Sequence, residues 1–277
     1  MGQHVREGRE DREVIGVAGC GRMGAPMLAA LDAAGFDARG FDVRPVPELG
    51  SLMRDAEGFA DGLTTLITVV RDIAQTDDVL FGAQGFAACP SLRRVIVSST
   101  LSPKYVRALR DRVPAHITLI DAPMSGAAIA AQERRLSFML GGAEADLDAA
   151  QPLFDAMGKH FHRMGPYGNG MQAKVLNNIL AAANTALTRM VLDWADDAGL
   201  DETRLLALMH TSSGQNWFAS NFDAIEFSRD GLAPDNTIAI LIKDVESALD
   251  AAPEGADISA PRAIQALLRV MTPRVTG

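Results

Sequence analysis

The first residues that could do chemistry are three glycines directly after a short apolar run. Residues 14–19, VIGVAG, are typical of a buried parallel strand. Gly19 permits a tight turn, Gly21 lets a pyrophosphate approach the backbone, and Gly24 lets the next helix pack close to a sheet. A helix N-terminus behind such a loop offers backbone N–H groups to phosphates. The spacing therefore predicts a dinucleotide site that also includes Arg22 and Met23.

Two charged residues at the end of the second predicted strand bear on which dinucleotide is bound. Asp42 follows Gly24 by eighteen residues, where a carboxylate accepts hydrogen bonds from the adenosine ribose and repels a 2′-phosphate. Arg44 acts in the opposite direction, because a guanidinium can hold that phosphate. Val43 lies between them and is counted with the same site. The sequence favours NAD and leaves NADP open.

Lys174 could move a proton during an oxidation. A neutral lysine takes the hydroxyl proton of an alcohol while a nicotinamide takes the hydride, and burial beside an oxidised nicotinamide lowers the pKa of such a lysine. Asn178 follows one helical turn later, on the same face. Asn177 and Asn178 interrupt an otherwise apolar helix, and both need partners if they are buried. Spacing alone favours an ordinary surface lysine on a long helix.

The elements that must position these residues change in kind along the chain. Strand-like runs recur, separated by helical stretches, at 14–19, 37–43, 64–70, 93–99, 116–122, 136–142 and, more weakly, 160–164. Residues 170–199 form one predicted helix of about 30 residues, and only helical stretches follow it. We therefore predict a loose tail over 1–12 and a Rossmann, doubly wound parallel sheet over 13–165. An all-α domain over 166–277 follows, with the site in the cleft between the two domains.

Composition excludes several classes of protein. The 277 residues are 48% hydrophobic and 22% charged, which is typical of a globular chain of one large or two modest domains. The net charge of −9 argues against nucleic-acid binding and against a basic membrane-binding surface. There is no 18-residue apolar window and no apolar signal segment. Two cysteines make no disulfide framework, so we expect a cytoplasmic protein.

His160 and His162 are the only residues that suggest a metal, because they share one face of a predicted strand. No Cys, Asp or Glu completes a ligand set at useful spacing, so we expect no metal site. The negative net charge does not exclude a small anionic substrate, because backbone N–H groups can bind an anion without net charge. The apolar faces of the long predicted helix need partners, so we also expect a homodimer or homotetramer.

Four segments in order carry a resemblance to a known family. They are GCGRMGAPM at 19–27, DAPMSGA at 121–127, GNGMQAKVLNN at 168–178 and LIKDVESALDAA at 241–252. The chain resembles the β-hydroxyacid dehydrogenases, the family that contains 3-hydroxyisobutyrate dehydrogenase and tartronate semialdehyde reductase, from about residue 13 to 270. The resemblance implies reversible oxidation of a short 3-hydroxy acid to its semialdehyde or keto acid.

The resemblance also implies a role for each matched residue. Lys174 would be the catalytic lysine and Asn178 would assist it. The residues implied to bind the substrate, chiefly its carboxylate, are Ser125, Gly126, Ala127, Asn177 and Asp244. The residues implied to line the nicotinamide or close over the cofactor are Val70, Arg71, Gln75, Thr100 and Lys243.

Some positions depart from the family pattern. Ala127 replaces a glycine of the substrate motif, and Val70 and Arg71 stand where relatives usually have Leu-Pro. These departures leave the particular hydroxy acid open. An imine or bulky-carbonyl reductase of the same fold and a non-catalytic nicotinamide-binding module remain alternatives. Lys174 argues against both alternatives. Imine reductases usually lack this lysine, and a module that does not catalyse a reaction does not need an acid/base residue.

Overall fold

The structure, a computed structural model, describes residues 13–274 and divides the chain into two compact units. The first unit extends to Lys174 and the second begins at Val175. This division lies inside a long helix, whereas the domain boundary predicted from the sequence, 165/166, lies in the loop before it. The predicted tail over 1–12 lies outside the described residues.

The described part of the first unit is built around an eight-stranded sheet. The strands are β1 (Val14–Ala18), β2 (Asp37–Phe41), β3 (Thr65–Thr68), β4 (Arg94–Val97), β5 (Thr118–Asp121), β6 (Met124–Ser125), β7 (Leu136–Gly141) and β8 (Gly158–Gly165). The first five are parallel and lie in the order β2-β1-β3-β4-β5. The doubly wound Rossmann sheet predicted from the sequence is confirmed, with observed strands shorter than most of the predicted runs.

The far edge of the sheet differs from the all-parallel prediction. β7 is antiparallel to β5 and to β6, and β8 pairs in parallel with β7. β6 has only two residues, and Ser125 pairs there with Ser137 of β7. A strand this short has no periodicity to detect, which is why the sequence does not reveal it.

Helices cover both faces of this sheet. They are α1 (Gly24–Ala33), α2 (Ala56–Ala60), α3 (Ile73–Leu80), α4 (Pro103–Arg112), α5 (Ala127–Gln132) and α6 (Glu144–Met157), with 3-10 helices at Pro47–Leu52 and Phe86–Ala88. Along β4, Val95 and Val97 join one apolar core and Ile96 the other. Successive side chains of a strand point to opposite faces, so a sheet buried on both faces needs such a continuous apolar run.

The second unit is all-helical within the residues described. The long helix α7 (Asn169–Asp197, 29 residues) begins in the first unit and continues into the second. It is followed by α8 (Glu202–Thr211), α9 (Trp217–Ser220), α10 (Thr237–Asp250) and α11 (Ser259–Arg269), with a 3-10 helix at Phe222–Ala224. No described residue after Gly165 is in a strand. Between residues 13 and 274, no helix is both long and apolar enough to cross a membrane.

Ion pairs tie the end of the described chain to α7 and α8. The Arg274 guanidinium lies 2.7 Å from Asp193 and 2.8 Å from Asp196, both on α7, and 2.6 Å from Glu202 on α8. The Arg274 side chain is buried although its partners are partly exposed. The three carboxylates replace the water that the buried guanidinium loses. Arg274 can therefore hold α7, α8 and the end of the described chain together.

Candidate active site

The glycine loop between β1 and α1 divides into packed and open positions. Gly19 has φ +96°, and a Cβ there would lie 2.5 Å from the Val69 carbonyl oxygen. A Cβ on Gly24 would lie 1.9 Å from the Gly19 carbonyl oxygen. A Cβ on Gly21 would meet only Arg44 Nη2, at 3.7 Å. Packing therefore requires Gly19 and Gly24, whereas the backbone at Gly21 is open to a ligand, as a bound pyrophosphate requires.

Asp42 is held against this loop by backbone hydrogen bonds. Its two carboxylate oxygens accept from the N–H groups of Cys20 and Arg44, each at 2.9 Å. Its side chain is 7% exposed, whereas that of Arg44 is 70% exposed with Nε 3.5 Å from the carboxylate. The Asp42 carboxylate is fixed by two hydrogen bonds, whereas the Arg44 guanidinium is largely exposed. Each carboxylate oxygen has more than one acceptor position, so Asp42 can still bind ribose hydroxyls.

The Cys20 backbone contact with Asp42 was not foreseen, because nothing in the sequence pairs positions 20 and 42. Burial, with a smaller contribution from the Asp42 carboxylate, raises the pKa of the Cys20 thiol to about 12. The thiol is therefore protonated at neutral pH. The contribution of Cys20 to the loop is its N–H group.

The predicted nicotinamide side is organised where β3 and β4 end beside each other. The Val70 N–H donates to Ser99 Oγ at 2.9 Å, and the Arg71 N–H donates to Gln75 Oε1 at 3.0 Å. The structure thus connects Arg71 to Gln75 by a hydrogen bond. It also connects Val70 to Ser99, the residue before Thr100. Ser99 was not predicted as a site residue. Its position beside Thr100 in the SST run is the only signal in the sequence.

Lys174 is buried and contacts the second predicted motif. Its Nζ donates to Ser125 Oγ at 3.1 Å, and the residue is 7% exposed. Ser125 is held in β6, and the backbone after it takes unusual angles, with φ +133° at Gly126 and +55° at Ala127. A buried lysine that donates to a serine hydroxyl is not the surface lysine that spacing alone would allow.

Asp121, at the start of the same segment, is entirely buried at the first turn of α7. It accepts hydrogen bonds from the N–H groups of Gly168 at 2.7 Å and Met171 at 2.5 Å. Burial raises the pKa of this carboxyl to about 6, although both N–H groups and Arg107 oppose the shift. Asp121 was not predicted as a site residue, although it is the first residue of the DAPMSGA segment.

In the second unit, four of the predicted residues are in contact. Asn178 Nδ2 donates to Asp244 Oδ2 at 2.6 Å, and the Lys243 ammonium lies 2.9 Å from Asp244 Oδ1. The Asn177 side-chain amide lies 3.4 Å from Asn178 Oδ1. Asn178 and Asp244 are both buried, and their hydrogen bond gives each of these buried polar side chains a partner.

No cluster of three or more His, Cys, Asp or Glu residues in the described chain is arranged to hold a metal ion. His160 and His162 are exposed on β8.

Comparison with known protein families matches one family model to the part of the chain that forms the sheet and a second model to the helical part that follows it. Residues 14–165 match a family model described as the NAD-binding domain of 6-phosphogluconate dehydrogenase. Residues 168–274 match a model described as NAD-binding of NADP-dependent 3-hydroxyisobutyrate dehydrogenase. The fold and these matches define an NAD(P)-binding oxidoreductase.

Individual relatives narrow that class. The chain is 31% identical over 211 residues to 3-hydroxyisobutyrate dehydrogenase of Pseudomonas aeruginosa, covering 73% of this chain and 71% of the relative. It is 32% identical over 201 residues to 2-hydroxy-3-oxopropionate reductase of Escherichia coli, covering 69% and 68%. A solved 3-hydroxyisobutyrate dehydrogenase from Salmonella typhimurium has the same fold, with a TM-score of 0.79 at 23% identity over 92% of each chain. The chain belongs to the β-hydroxyacid dehydrogenase family.

Proposed function

We propose that the protein interconverts a short 3-hydroxy acid and its semialdehyde or keto acid, with Lys174 as the acid/base group. The observation that carries this proposal is the buried contact of Lys174 Nζ with Ser125 Oγ. That contact joins the candidate base to the segment assigned to the substrate. The two relatives are named for a short hydroxy acid and for a short oxo acid, which supports a substrate of this size.

The bound nicotinamide supplies the hydride acceptor or donor. In oxidation, neutral Lys174 accepts the proton of the substrate hydroxyl as the hydride leaves carbon. In reduction, the Lys174 ammonium donates a proton to the developing alkoxide, which contributes about 10²–10⁴-fold to the rate. Ser125 Oγ lies 3.1 Å from Lys174 Nζ, and this hydrogen bond keeps Nζ at one position during both oxidation and reduction.

The substrate carboxylate is assigned to the Ser125 hydroxyl and to the backbone N–H groups of Gly126 and Ala127. Hydroxyl and N–H donors bind an anion without adding a charge beside the lysine. In the second unit, Asn178 Nδ2 donates to Asp244, and this hydrogen bond fixes the orientation of the Asn178 amide. The carbonyl oxygen Oδ1 is then the atom that accepts a hydrogen bond from a ligand. We assign that oxygen to the orientation of the reacting hydroxyl group, with Lys243 acting through Asp244.

NAD is the proposed cofactor in preference to NADP. The fixed, nearly buried Asp42 carboxylate would lie against a 2′-phosphate, and only the largely exposed Arg44 could offset that repulsion. We expect kcat/KM to favour NAD by at least about tenfold, the effect of 1.4 kcal/mol. Arg44→Ala lowers turnover with NADP and leaves turnover with NAD unchanged. A preference of the unaltered protein for NADP would contradict the assignment.

Self-association is proposed from one exposed face of α7. The apolar residues that share this face and are more than 40% exposed are Leu176, Leu180, Leu187 and Trp194. Leu180, Leu187 and Trp194 are seven residues apart, which places them two turns apart on one face. A stripe of this kind is complementary to its own copy across a two-fold axis, so a second copy of this chain is the proposed occupant.

The experiment that tests the proposed function is a turnover assay. Purified protein is given NAD or NADP with a panel of short 3-hydroxy acids, and NADH or NADPH with the matching semialdehydes, and nicotinamide absorbance is followed. Lys174→Ala is assayed beside it, together with cofactor binding by fluorescence. We expect activity on a short 3-hydroxy acid that the variant loses by at least about 10²-fold while it still binds cofactor.

Two results would contradict the proposal. Turnover by Lys174→Ala at the level of the unaltered protein would remove the acid/base role of Lys174. Tight cofactor binding without activity on any hydroxy acid or semialdehyde would leave imine or bulky-carbonyl reduction, or cofactor binding without catalysis, as the function to test.

A further inference from the structure

Two side chains of one short segment contact the beginning of α7. Ser125 Oγ accepts from Lys174 Nζ, and Asp121, four residues earlier, accepts from the N–H groups of Gly168 and Met171. Met171 precedes Lys174 by three residues, so both contacts fall within the first two turns of the helix. The segment that contains the proposed substrate donors therefore binds α7 at two points, one on its backbone and one on its lysine.

We propose that Asp121 is a positioning residue that fixes the first turn of α7 so that Lys174 is held at Ser125. This inference rests on the proposed function of Lys174. Asp121 is not assigned to the substrate or the cofactor, and it acts on the reaction only through the placement of the helix.

The other side-chain caps in the chain show what is different about Asp121. Asp72 caps α3 by accepting from Gln75, and Asp201 caps α8 by accepting from Arg204, each three residues away. Asp121 is separated by 47 residues from Gly168 and by 50 from Met171. A local cap fixes a helix to its own preceding loop. Asp121 instead fixes α7 to the strand end that leads to Ser125.

The surroundings of Asp121 leave no room for a larger or displaced side chain. A Cβ on Gly141 of β7 would lie 2.1 Å from Asp121 Oδ1. A Cβ on Gly170 would lie 2.3 Å from the Met139 carbonyl oxygen, so the start of α7 packs directly on β7. Burying a carboxylate this completely is costly. A cost of that kind is expected where a fixed geometry is needed more than stability.

The ionisation of Asp121 should control this contact. Burial raises the pKa of Asp121 to about 6, against the two N–H groups and Arg107 of α4. Tyr167, in the loop before α7, faces it with a buried hydroxyl whose pKa is raised by burial and then by Asp121, and Gly141 faces it from β7 without a titratable group. Protonation removes the negative charge that both N–H groups bind and leaves a hydroxyl oxygen that is a weaker acceptor, so both hydrogen bonds become weaker. As the pH falls through about 6, these two hydrogen bonds at the start of α7 weaken, although burial of the neutral carboxyl stabilises the folded chain as a whole.

Hydrogen exchange of the Gly168 and Met171 amides tests this without any assay of turnover. In the unaltered full-length protein, we expect their protection factors, corrected for intrinsic exchange, to fall about tenfold between pH 7.5 and 5. In Asp121→Asn they should be low and independent of pH. Gly168 and Met171 amides that show no protection in the unaltered protein at pH 7.5 would overturn the inference, whether or not the variant folds.

Turnover gives the second readout. We expect Asp121→Asn to lower kcat by about 10- to 100-fold, the effect of a misplacement of about 1 Å, with little change in the KM for cofactor. The matched control is Asp201→Asn, which makes the same chemical change at the cap of α8 and should leave kcat unchanged. An Asp121→Asn enzyme that is less stable but has an unchanged kcat would reduce Asp121 to a structural cap.

The two proposals can fail separately. If Lys174→Ala keeps turnover, the proposed function fails, and the exchange of the Gly168 and Met171 amides still decides whether Asp121 fixes the helix. If Lys174→Ala is inactive and Asp121→Asn is not impaired, only the positioning role of Asp121 fails.

Discussion

Ala127 begins α5 with a φ of +55°, a left-handed conformation that residues other than glycine rarely adopt. Its methyl group makes this conformation unfavourable by roughly 1–2 kcal/mol. Gly126, directly before it, has φ +133° and is not strained in this way because it has no side chain. Backbone strain is therefore localised beside Ser125, where the substrate carboxylate is proposed to bind.

Ala127→Gly should stabilise the protein. Relief of the left-handed strain outweighs the extra freedom of glycine in the unfolded chain, roughly 0.5–1 kcal/mol, and leaves a net gain of up to about 1.5 kcal/mol. Urea denaturation measures the change. Ala128→Gly, one residue later in α5, is the control and should destabilise by about 0.5–1 kcal/mol. Equal losses in both variants would show that Ala127 is not strained.

The sequence predicted where residues that belong to a local pattern lie in the fold. The three glycines, Asp42 and Lys174 all lie where strand–loop–helix patterns or motif spacing placed them. It did not predict Ser99 or Asp121. Their partners, Val70 and the amides of Gly168 and Met171, are 29 to 50 residues away. Only the pairing of strands and the start of α7 bring them together.

Helix α7 shows which features of an element can be predicted from sequence. Its length and position follow from a long apolar periodicity, and the observed 29 residues agree with the predicted helix of about 30. The two-residue β6 and the antiparallel pairing of β7 do not follow. They depend on which strand is adjacent, and no local propensity encodes that choice.

The exposed apolar face of α7 predicts the assembly state. Leu180 and Trp194, each 65% exposed, are about 21 Å apart by helix rise. We expect light scattering to give the mass of a dimer or tetramer for the unaltered protein and of a smaller species for Leu180→Lys. Val270→Lys, which changes an exposed apolar residue outside this face, should keep the assembly. A monomeric unaltered protein would contradict the proposal.

For the molecule as a whole, one buried carboxyl group, that of Asp121, makes the folded state more stable at moderately acidic pH than at neutral pH. The folded state raises the pKa of Asp121 from 3.8 to about 6, so near pH 5 it binds a proton that the unfolded chain releases. A state that binds more protons gains stability as the pH falls. The contribution of Asp121 to the free energy of unfolding therefore decreases as the pH rises from about 4 to about 6.

This pH dependence can be isolated with Asp121→Asn, which has no titratable group at that position. The difference in unfolding free energy between the unaltered protein and the variant should decrease by up to about 3 kcal/mol between pH 4 and 7, at 1.36 kcal/mol per pKa unit. Urea denaturation at several pH values measures it, and the other carboxylates cancel in the difference. A difference that is constant with pH would show that burial does not perturb Asp121.

The glycine loop has a practical consequence for handling the protein. Cys20 is buried in that loop with a pKa of about 12, and only the thiolate reacts readily with alkylating or oxidising reagents. The other cysteine of the chain, Cys89, lies directly after the 3-10 helix at Phe86–Ala88, and although burial raises the pKa of its thiol as well, its side chain is only partly buried and can be reached by a reagent. A maleimide dye should therefore attach at a single position and leave the dinucleotide loop unmodified, so that one native thiol serves as a fluorescence label without any cysteine being removed.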